Sequence, residues 1–292
     1  MRIQLDWFNE KLATRLADLA AGRITPAAPR DAATVMVLRT APDGAGVEVL
    51  MLRRTAAMKF APGAYVFPGG SVDPADYGAE VGWQGPSAAE FGGWLGASAE
   101  VARALVCAAV RETFEESGVL LAGAPGEGPL AAPPDPSEKS AASWEADRMA
   151  VASGTLTLAE LLARRGLVLR ADLLVPWARW ITPDGEPRRF DARFFAAALP
   201  AGQRAVGHEA EADHVAWLRP ADAIRSAKAG EISLLPPTAT TLNEFASAVT
   251  AGAGLADILA KRRVIEPVQP RLVLEDGAAW LVIPDGVEYP GV

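Results

Sequence analysis

Cysteine and histidine are scarce in this chain of 292 residues, which contains one cysteine and two histidines. One cysteine excludes an internal disulfide and fits a reducing compartment. The apolar neighbours of Cys107 predict a packed helical residue, not a nucleophile. Because zinc sites are built mainly from thiolate and imidazole ligands, this composition disfavours zinc. Any bound metal is expected to be a hard cation with oxygen ligands.

An excess of positive charge and long apolar runs are also absent. The chain has 28 Lys and Arg against 36 Asp and Glu, a net charge of −8, which disfavours nucleic-acid or anionic-membrane partners. No apolar run reaches the roughly 20 residues of a membrane span, and acidic residues in the first twenty argue against a secretory signal. We expect a cytoplasmic protein with a small-molecule partner. The sequence leaves its oligomeric state open, a homodimer being one option.

The order of predicted elements indicates an α/β fold with a mixed sheet. Residues 32–40 and 47–54 flank a turn-forming segment and predict a strand pair. Residues 98–117 predict a helix that ends at Gly118. Further elements alternate to the end of the chain: short helices near 141–151 and 157–165, strands within 171–183, 188–200 and 214–220, then C-terminal helices and a hairpin with Asp276–Gly277 in its turn. Hairpins and crossovers together predict a mixed sheet flanked by helices.

Composition divides the chain into a central domain with two extensions. Residues 1–28 predict an N-terminal helix and a linker, residues 29–228 the domain, and residues 229–292 C-terminal helices and a hairpin packed on it. Within the domain, residues 77–97 are rich in Gly, Ala and Trp without a clear period, and we interpret them as an insertion. Residues 122–140 predict a Pro/Gly/Ala loop, mobile or wrapped on the surface.

Three glutamates of the predicted helix share one face. Glu112, Glu115 and Glu116 lie at positions i, i+3 and i+4, so their carboxylates are neighbours. Their repulsion becomes attraction if they bind a divalent cation such as Mg²⁺, which takes carboxylates, water and substrate phosphates together. Arg111 is placed to orient one carboxylate through a bidentate contact. A solvated acidic helix face is the alternative.

The segment RETFEESGV, residues 111–119, resembles the Nudix box. It matches at the Arg-Glu pair, at both later glutamates and at the final Gly-Val, while Thr113 stands where an aliphatic residue is usual. Upstream, Gly70 is followed after five residues by Asp76, where the box has Glu. Between Asp76 and Arg111 lie 34 residues instead of seven. The box is therefore present but interrupted.

An interrupted box resembles the Nudix subgroup that includes coenzyme A diphosphatases. The motifs FPGGSVDPAD, RWITP, RRFDARFF and LLPPT have counterparts there in the same order, so the resemblance covers about residues 30–245. It implies a Nudix-type α/β/α sandwich with a mixed sheet, extended by an N-terminal helix, an insertion within the box and a helical and hairpin C-terminal extension.

The resemblance implies hydrolysis of a nucleoside diphosphate linked to another moiety, with Mg²⁺ or Mn²⁺ as cofactor. It implies that Glu115 and Glu116 are the principal metal ligands and that Glu112 is a ligand or the base for the attacking water. Arg111 is implied as an orienting partner. A glycine turn at Gly69 and Gly70 is implied to offer a backbone carbonyl to the metal.

Acidic residues outside the contiguous box are further candidates for the site. Asp76 is shorter than the usual Glu, and its contribution stays open. Many Nudix enzymes take a further ligand or base from a loop after the box, for which Glu209, Glu211 and Asp213 are candidates. We favour Glu211. A charged loop ahead of a buried strand is the alternative for each.

Residues 49–70 resemble a second signature, found in coenzyme A-cleaving Nudix enzymes, although Ala64 replaces a Glu. Arg54 and Lys59 are cations suited to the 3′-phosphate or diphosphate of the substrate, with a solvated basic pair as the alternative. This favours hydrolysis of coenzyme A or acyl-CoA to (acyl-)4′-phosphopantetheine and adenosine 3′,5′-bisphosphate. An ADP-sugar or NADH diphosphatase is the alternative enzyme, and a non-catalytic sensing or interaction module is the alternative of another class.

Overall fold

The computed structural model describes residues 1–5, 10–56, 61–78, 80–129, 138–207, 212–260, 262–275 and 278–292, with the backbone alone at 138–142 and 212. The helices within these ranges are α1 (Glu10–Ala20), α2 (Pro74–Tyr77), α3 (Ala88–Leu95), α4 (Ala99–Ser117), α5 (Glu138–Ala152), α6 (Leu158–Arg165), α7 (Pro220–Lys228), α8 (Pro236–Thr250) and α9 (Leu255–Leu259). The strands are β1 (Arg2–Gln4), β2 (Arg30–Thr40), β3 (Val47–Arg54), β4 (Ala64–Val66), β5 (Gly69–Ser71), β6 (Trp83–Gln84), β7 (Ala122–Gly123), β8 (Val168–Arg170), β9 (Val175–Ile181), β10 (Phe190–Ala198), β11 (Ala212–Leu218), β12 (Ser233–Leu234), β13 (Pro267–Val268), β14 (Arg271–Glu275) and β15 (Ala278–Val282).

A mixed sheet of nine described strands forms the centre of the molecule. Its order is β12-β4-β3-β2-β10-β9-β13, with β11 paired to β3 and β5 paired to β2. Strand β2 runs parallel to β10 and antiparallel to β3 and β5. Two smaller sheets, β1-β15-β14 and β6-β8-β7, lie beside it. The predicted α/β class and the mixed sheet are confirmed.

Hydrophobic clusters cover both faces of the central sheet. Along β2, Val35 and Val37 point into a cluster shared with α4, whereas Met36 and Leu38 point into a second cluster shared with α8. Since successive side chains of a strand face opposite sides, burial on both sides requires an almost continuous apolar run. The sheet thus supports α4 on one face and α8 on the other.

Helix α4 begins and ends where its sequence predicts. The Ser98 hydroxyl accepts a hydrogen bond from the Val101 amide at 3.2 Å, a usual N-cap contact. Gly118 takes the left-handed conformation with φ of +70° and donates its amide to the Phe114 carbonyl, which is typical of a helix C-terminus. Between these caps, the apolar side of the helix is buried against the sheet.

The segment 77–97 has more structure than its composition predicted. Helix α3 lies within it, started by a capping box in which Ser87 and Glu90 bond each other's backbone. Phe91 and Leu95 of α3 are fully buried in the cluster that also contains α4. The sequence of this short helix shows little hydrophobic periodicity, because glycines occupy two of its eight positions. The helix was therefore not predicted.

The described residues contain no single helix that is long and apolar enough to cross a membrane. Helices α3 and α4 would satisfy that criterion only if taken together, and they meet at a bend of 92°.

The C-terminal segment is partly built into the central sheet. Strand β13 pairs with β9 in parallel, and α8 packs on the second hydrophobic cluster. Strands β14 and β15 form the predicted hairpin, which pairs with β1 at the N-terminus. The predicted turn at 276–277 lies outside the described residues. Of the predicted loop 122–140, residues 122–123 form β7, residues 138–140 belong to α5, and residues 130–137 lie outside the described ranges.

Candidate active site

Arg111 and Asp76 form a buried ion pair across the 34 residues that separate them. The Arg111 Nε atom lies 3.1 Å from Asp76 Oδ1 and the Nη2 atom lies 2.9 Å from Oδ2. Asp76 is only 3% exposed and Arg111 13%. Nη2 also donates to the Ser71 carbonyl at 2.9 Å. The role of Asp76 that the sequence left open is thus a contact with Arg111.

Helix α2 holds Asp76 in place through its own backbone. Pro74 occupies the first turn, and Asp73 is the N-cap, whose side chain accepts from the Ala75 amide at 2.9 Å. Asp76 completes this capping box, because its Oδ2 atom accepts from the Asp73 amide at 2.8 Å. The short Asp side chain therefore reaches Arg111 from a helix end, and the insertion that follows does not displace it.

The same guanidinium joins two of the three box glutamates. Arg111 Nη1 donates to Glu112 Oε1 at 3.0 Å and to Glu115 Oε1 at 3.1 Å. Burial alone would lower the pKa of Arg111, but the hydrogen bonds to Asp76 and the charges of Glu112, Asp76 and Glu115 outweigh it and raise the pKa. Arg111 is therefore a permanent cation that offsets the repulsion between the carboxylates.

Gly69 and Gly70 lie in strand β5, which corrects their prediction as a turn. They pair with Thr34 and Ala33 of β2 in antiparallel register. The Gly69 amide donates to Glu116 Oε2 at 2.9 Å, so the third box glutamate is held by β5. The predicted metal-binding carbonyl of this segment stays a prediction.

Both glycines are closely packed. A Cβ atom on Gly69 would lie 2.5 Å from the Ala33 carbonyl oxygen, and a Cβ atom on Gly70 would lie 2.4 Å from Glu112 Oε1. Both distances are below any ordinary contact. At Gly69 the obstacle is the backbone of β2, so β5 needs glycine there, whereas at Gly70 the obstacle is the end of a side chain. The two halves of the interrupted motif are consequently in van der Waals contact.

The donor chemistry of this cluster fits a hard divalent cation. Glu112, Glu115 and Glu116 supply carboxylate oxygens on one helix side, which are ligands that Mg²⁺ and Mn²⁺ prefer. Over the part of the chain that the structure describes, however, no three acidic, His or Cys side chains form a preformed metal cage. The carboxylates are instead engaged by Arg111 and by the Gly69 amide. Cation binding would require them to exchange some of these donors for the metal.

Comparison with known proteins identifies the family. A family model described as the NUDT19 Nudix domain matches residues 96–244. The chain belongs to the Nudix hydrolase family. The predicted box segment 111–119 lies within the matched residues.

Curated relatives resemble this Nudix hydrolase at moderate identity. An acyl-coenzyme A diphosphatase NUDT19 of Gallus gallus is 32% identical over 247 residues, 71% of this chain and 65% of that protein. The protein of the same name from Homo sapiens is 32% identical over 67% of this chain and 60% of its own length. Putative nudix hydrolase 7 of Caenorhabditis elegans is 30% identical over 65% of this chain and 52% of its own length. The chain thus spans between about half and two thirds of these relatives.

A solved structure supports the same fold. The crystal structure of a NUDIX hydrolase from Alicyclobacillus acidocaldarius is 28% identical, covers 81% of this chain and 98% of its own, and superposes with a TM-score of 0.65. The Nudix-type arrangement predicted from the interrupted box is confirmed.

The structure describes one of the three predicted residues Arg54, Lys59 and Glu211. Arg54 ends β3 and lines a surface cavity of about 660 Å³, whose described lining contains none of the box glutamates. Lys59 and Glu211 lie outside the described residues, so their predicted roles stay predictions. Asp213, a weaker candidate beside Glu211, accepts from Arg53 Nε at 2.6 Å. Both members of that pair are nearly half exposed.

Cys107 is a packed residue of α4, as predicted. Its side chain is fully buried, and burial raises the pKa of the thiol to about 12. It stays protonated near neutral pH and is not a nucleophile.

Arg148 is a residue of this region that sequence reasoning missed. It lies on α5, and its Nη1 atom contacts the backbone carbonyl of Glu115 at 3.3 Å. A single arginine in a polar helix carries no distinctive signal, because only the tertiary fold brings α5 to the end of α4.

Proposed function

We propose that this Nudix hydrolase is a metal-dependent diphosphatase that cleaves a nucleoside diphosphate linked to another moiety. One observation carries the proposal. Arg111 binds Asp76, Glu112 and Glu115 together, which reunites the two parts of a box that the sequence separates. A chain without such chemistry has no need to hold three neighbouring carboxylates beside one buried guanidinium.

Each box residue has a task that follows from its contacts. Glu112, Glu115 and Glu116 would hold Mg²⁺ or Mn²⁺, which when bound neutralises a diphosphate and polarises its phosphorus–oxygen bonds. Arg111 keeps the carboxylates of Glu112 and Glu115 adjacent. Glu112 is suited to accept a proton from the attacking water, with Glu211 as the alternative base. The carbonyls of Gly69 and Gly70 are proposed as further oxygen ligands.

Coenzyme A or acyl-CoA is the proposed substrate. Relatives from Gallus gallus and Homo sapiens that are 32% identical carry the name acyl-coenzyme A diphosphatase. The upstream signature with Arg54 and Lys59 supports the same assignment, since these cations suit the phosphates of the nucleotide. The products would be (acyl-)4′-phosphopantetheine and adenosine 3′,5′-bisphosphate. A cytoplasmic location and a homodimer stay predictions from the sequence.

A substrate panel with purified protein tests this proposal. Coenzyme A, acyl-CoAs, ADP-ribose, NADH and dinucleoside polyphosphates would be incubated with Mg²⁺ or Mn²⁺ and with a chelator, and products identified by mass. We expect cleavage of coenzyme A or acyl-CoA that the chelator abolishes. Efficient cleavage of ADP-ribose or NADH alone would instead identify an ADP-sugar or NADH diphosphatase. No metal-dependent cleavage of any compound would favour the non-catalytic module.

A further inference from the structure

We propose that Arg148 is a positioning residue that holds the last turn of α4, and with it Glu115 and Glu116, in its working place. The proposal concerns a residue outside the Nudix box, and it rests on the proposed function of that box. Arg148 is only 4% exposed although it carries a full charge. Burial of a guanidinium costs free energy unless all its N–H groups donate hydrogen bonds.

The contacts of Arg148 join two separate parts of the chain. Its Nη1 atom donates to the Glu115 carbonyl at 3.3 Å and to the Val206 carbonyl at 3.0 Å. Its Nη2 atom lies 3.5 Å from the Gly207 carbonyl. On the other side, Nε and Nη2 bind the carboxylate of Glu145 at 2.9 and 2.8 Å. The guanidinium thus bridges α4 and the segment 206–207.

The end of α4 needs this partner. The last four carbonyls of a helix have no intrahelical N–H donor, and a cation near them is favourable for the helix dipole. Helix α4 has no basic residue in its own last turn. Arg148 supplies the missing cation from another helix, and it binds the carbonyl of a predicted metal ligand.

The same turn is tied a second time to the same segment. The Val206 amide donates to the Ser117 carbonyl at 2.8 Å, and the side chain of Gln203 exchanges two hydrogen bonds with the backbone of Leu120. Residues 203–207 therefore lie against the end of α4, and the chain continues from Gly207 into the segment that carries Glu211. Loss of Arg148 would release both the turn with Glu115 and residues 206–207.

Variants Arg148→Lys and Arg165→Lys provide a matched comparison. Lys keeps the charge but lacks the planar fork that reaches two carbonyls and a carboxylate at once. Arg165 lies on α6 and binds Asp147 of α5 at 2.8 Å, so its variant loosens α5 without touching α4. Thermal unfolding of the two proteins measures how much fold stability each change removes.

Direct Mn²⁺ binding to the substrate-free protein, followed by electron paramagnetic resonance, is the first measurement. We expect Arg148→Lys to weaken Mn²⁺ binding about tenfold or more, and Arg165→Lys to leave it within about twofold. The second measurement is amide hydrogen exchange, in which the Val206 amide should exchange faster in Arg148→Lys only. Unchanged Mn²⁺ affinity in Arg148→Lys, or equal weakening in both variants, would overturn the proposal.

A milder change keeps the test decisive if Arg148→Lys does not fold. Glu145 is 52% exposed, so the variant Glu145→Gln should fold. It weakens one set of contacts of the Arg148 guanidinium. We expect a two- to fivefold weaker Mn²⁺ affinity, roughly the effect of an exposed ion pair. No change in that variant would overturn the proposal. Failure of the proposed function is separable, because wild-type protein that binds Mn²⁺ but hydrolyses no panel compound would leave these binding comparisons valid.

Discussion

The guanidinium of Arg111 contacts both carboxylate oxygens of Asp76, although 34 residues lie between them. The pair is buried, with 13% of the Arg111 side chain and 3% of the Asp76 side chain exposed. This contact closes the interrupted Nudix box in three dimensions. It also makes the helix end at Asp73–Asp76 part of the candidate site.

Asp76→Asn is expected to lower the free energy of unfolding by about 3 kcal/mol, because it removes the charge of the most buried carboxylate that Arg111 contacts. Urea unfolding measures this loss. Asp222→Asn is the control, since it removes an exposed ion pair with Arg225 and should cost at most about 1 kcal/mol. Equal losses in the two variants would mean that the Arg111–Asp76 pair contributes no more than a surface contact.

Substitution of the two adjacent glycines is expected to separate folding from activity. Gly69→Ala places a Cβ atom 2.5 Å from the backbone oxygen of Ala33, which cannot move independently, so stability should fall by about 2–3 kcal/mol. The three atoms nearest to a Cβ atom on Gly70 all belong to the carboxylate of Glu112, a side chain that can swing away.

We therefore expect Gly70→Ala to fold nearly normally and to lose about 100-fold in kcat, since a displacement near 1 Å is enough for such a loss. Thermal unfolding and steady-state kinetics measured together distinguish the two effects. Gly93→Ala, an exposed helical site with no neighbour within 4 Å of the added Cβ atom, should be slightly stabilising and fully active. A Gly70→Ala enzyme with wild-type kcat would show that Glu112 needs no defined position.

Glu115→Gln and Glu116→Gln are each expected to lower kcat about 100-fold or more while changing stability by less than about 1 kcal/mol. A neutral amide is a poor ligand for Mg²⁺, whose charge stabilisation is worth several kcal/mol. Wild-type protein should also melt at a higher temperature with Mn²⁺, because a ligand that binds only the folded state stabilises it.

Neither glutamine variant should show that Mn²⁺-dependent shift. Glu100→Gln, an exposed acidic residue in the first turn of the same helix, is the matched control and should behave like wild type. Retention of wild-type hydrolysis by both Glu115→Gln and Glu116→Gln would refute the assigned ligands.

Cys107 is expected to be unreactive in the folded protein. The thiol is buried and its pKa is raised to about 12, so a thiol reagent near pH 8 should label no cysteine in native protein and one per chain in urea. Rapid labelling without denaturant would contradict the packed position of Cys107 in α4.

The raised pKa of Cys107 also predicts a loss of stability at alkaline pH. From about pH 9, the ordinary value, the thiol ionises in the unfolded chain but stays protonated in the folded one until about pH 12. The folded state then binds more protons, so the free energy of unfolding falls as pH rises, by up to roughly 1.4 kcal/mol per pH unit. Cys107→Ala removes this contribution, and its unfolding free energy should fall less steeply than that of wild type over this range.

Local patterns were sufficient to predict much of the fold. The caps at Ser98 and Gly118 bound α4 within one residue of its predicted limits, and β3 spans 47–54 as predicted. Helix α3 was not predicted, since its short sequence with two glycines has little period. Gly69 and Gly70 suggested a turn, because glycine is common in turns, whereas a strand that needs glycine for close packing has no separate local signal.

By itself, the sequence determined which residue types are available: three carboxylates on one helix side, one arginine beside them, and no thiolate or imidazole set for zinc. Those choices follow from the helical period and from composition. Only the tertiary structure decided which of these groups contact one another. Asp76 contacts Arg111 because α2 is held beside α4. The Gly69 amide contacts Glu116 because β5 pairs with β2. Arg148 contacts the Glu115 carbonyl because α5 packs on the end of α4. Such long-range contacts depend on the packing of whole elements, which no short stretch of sequence encodes.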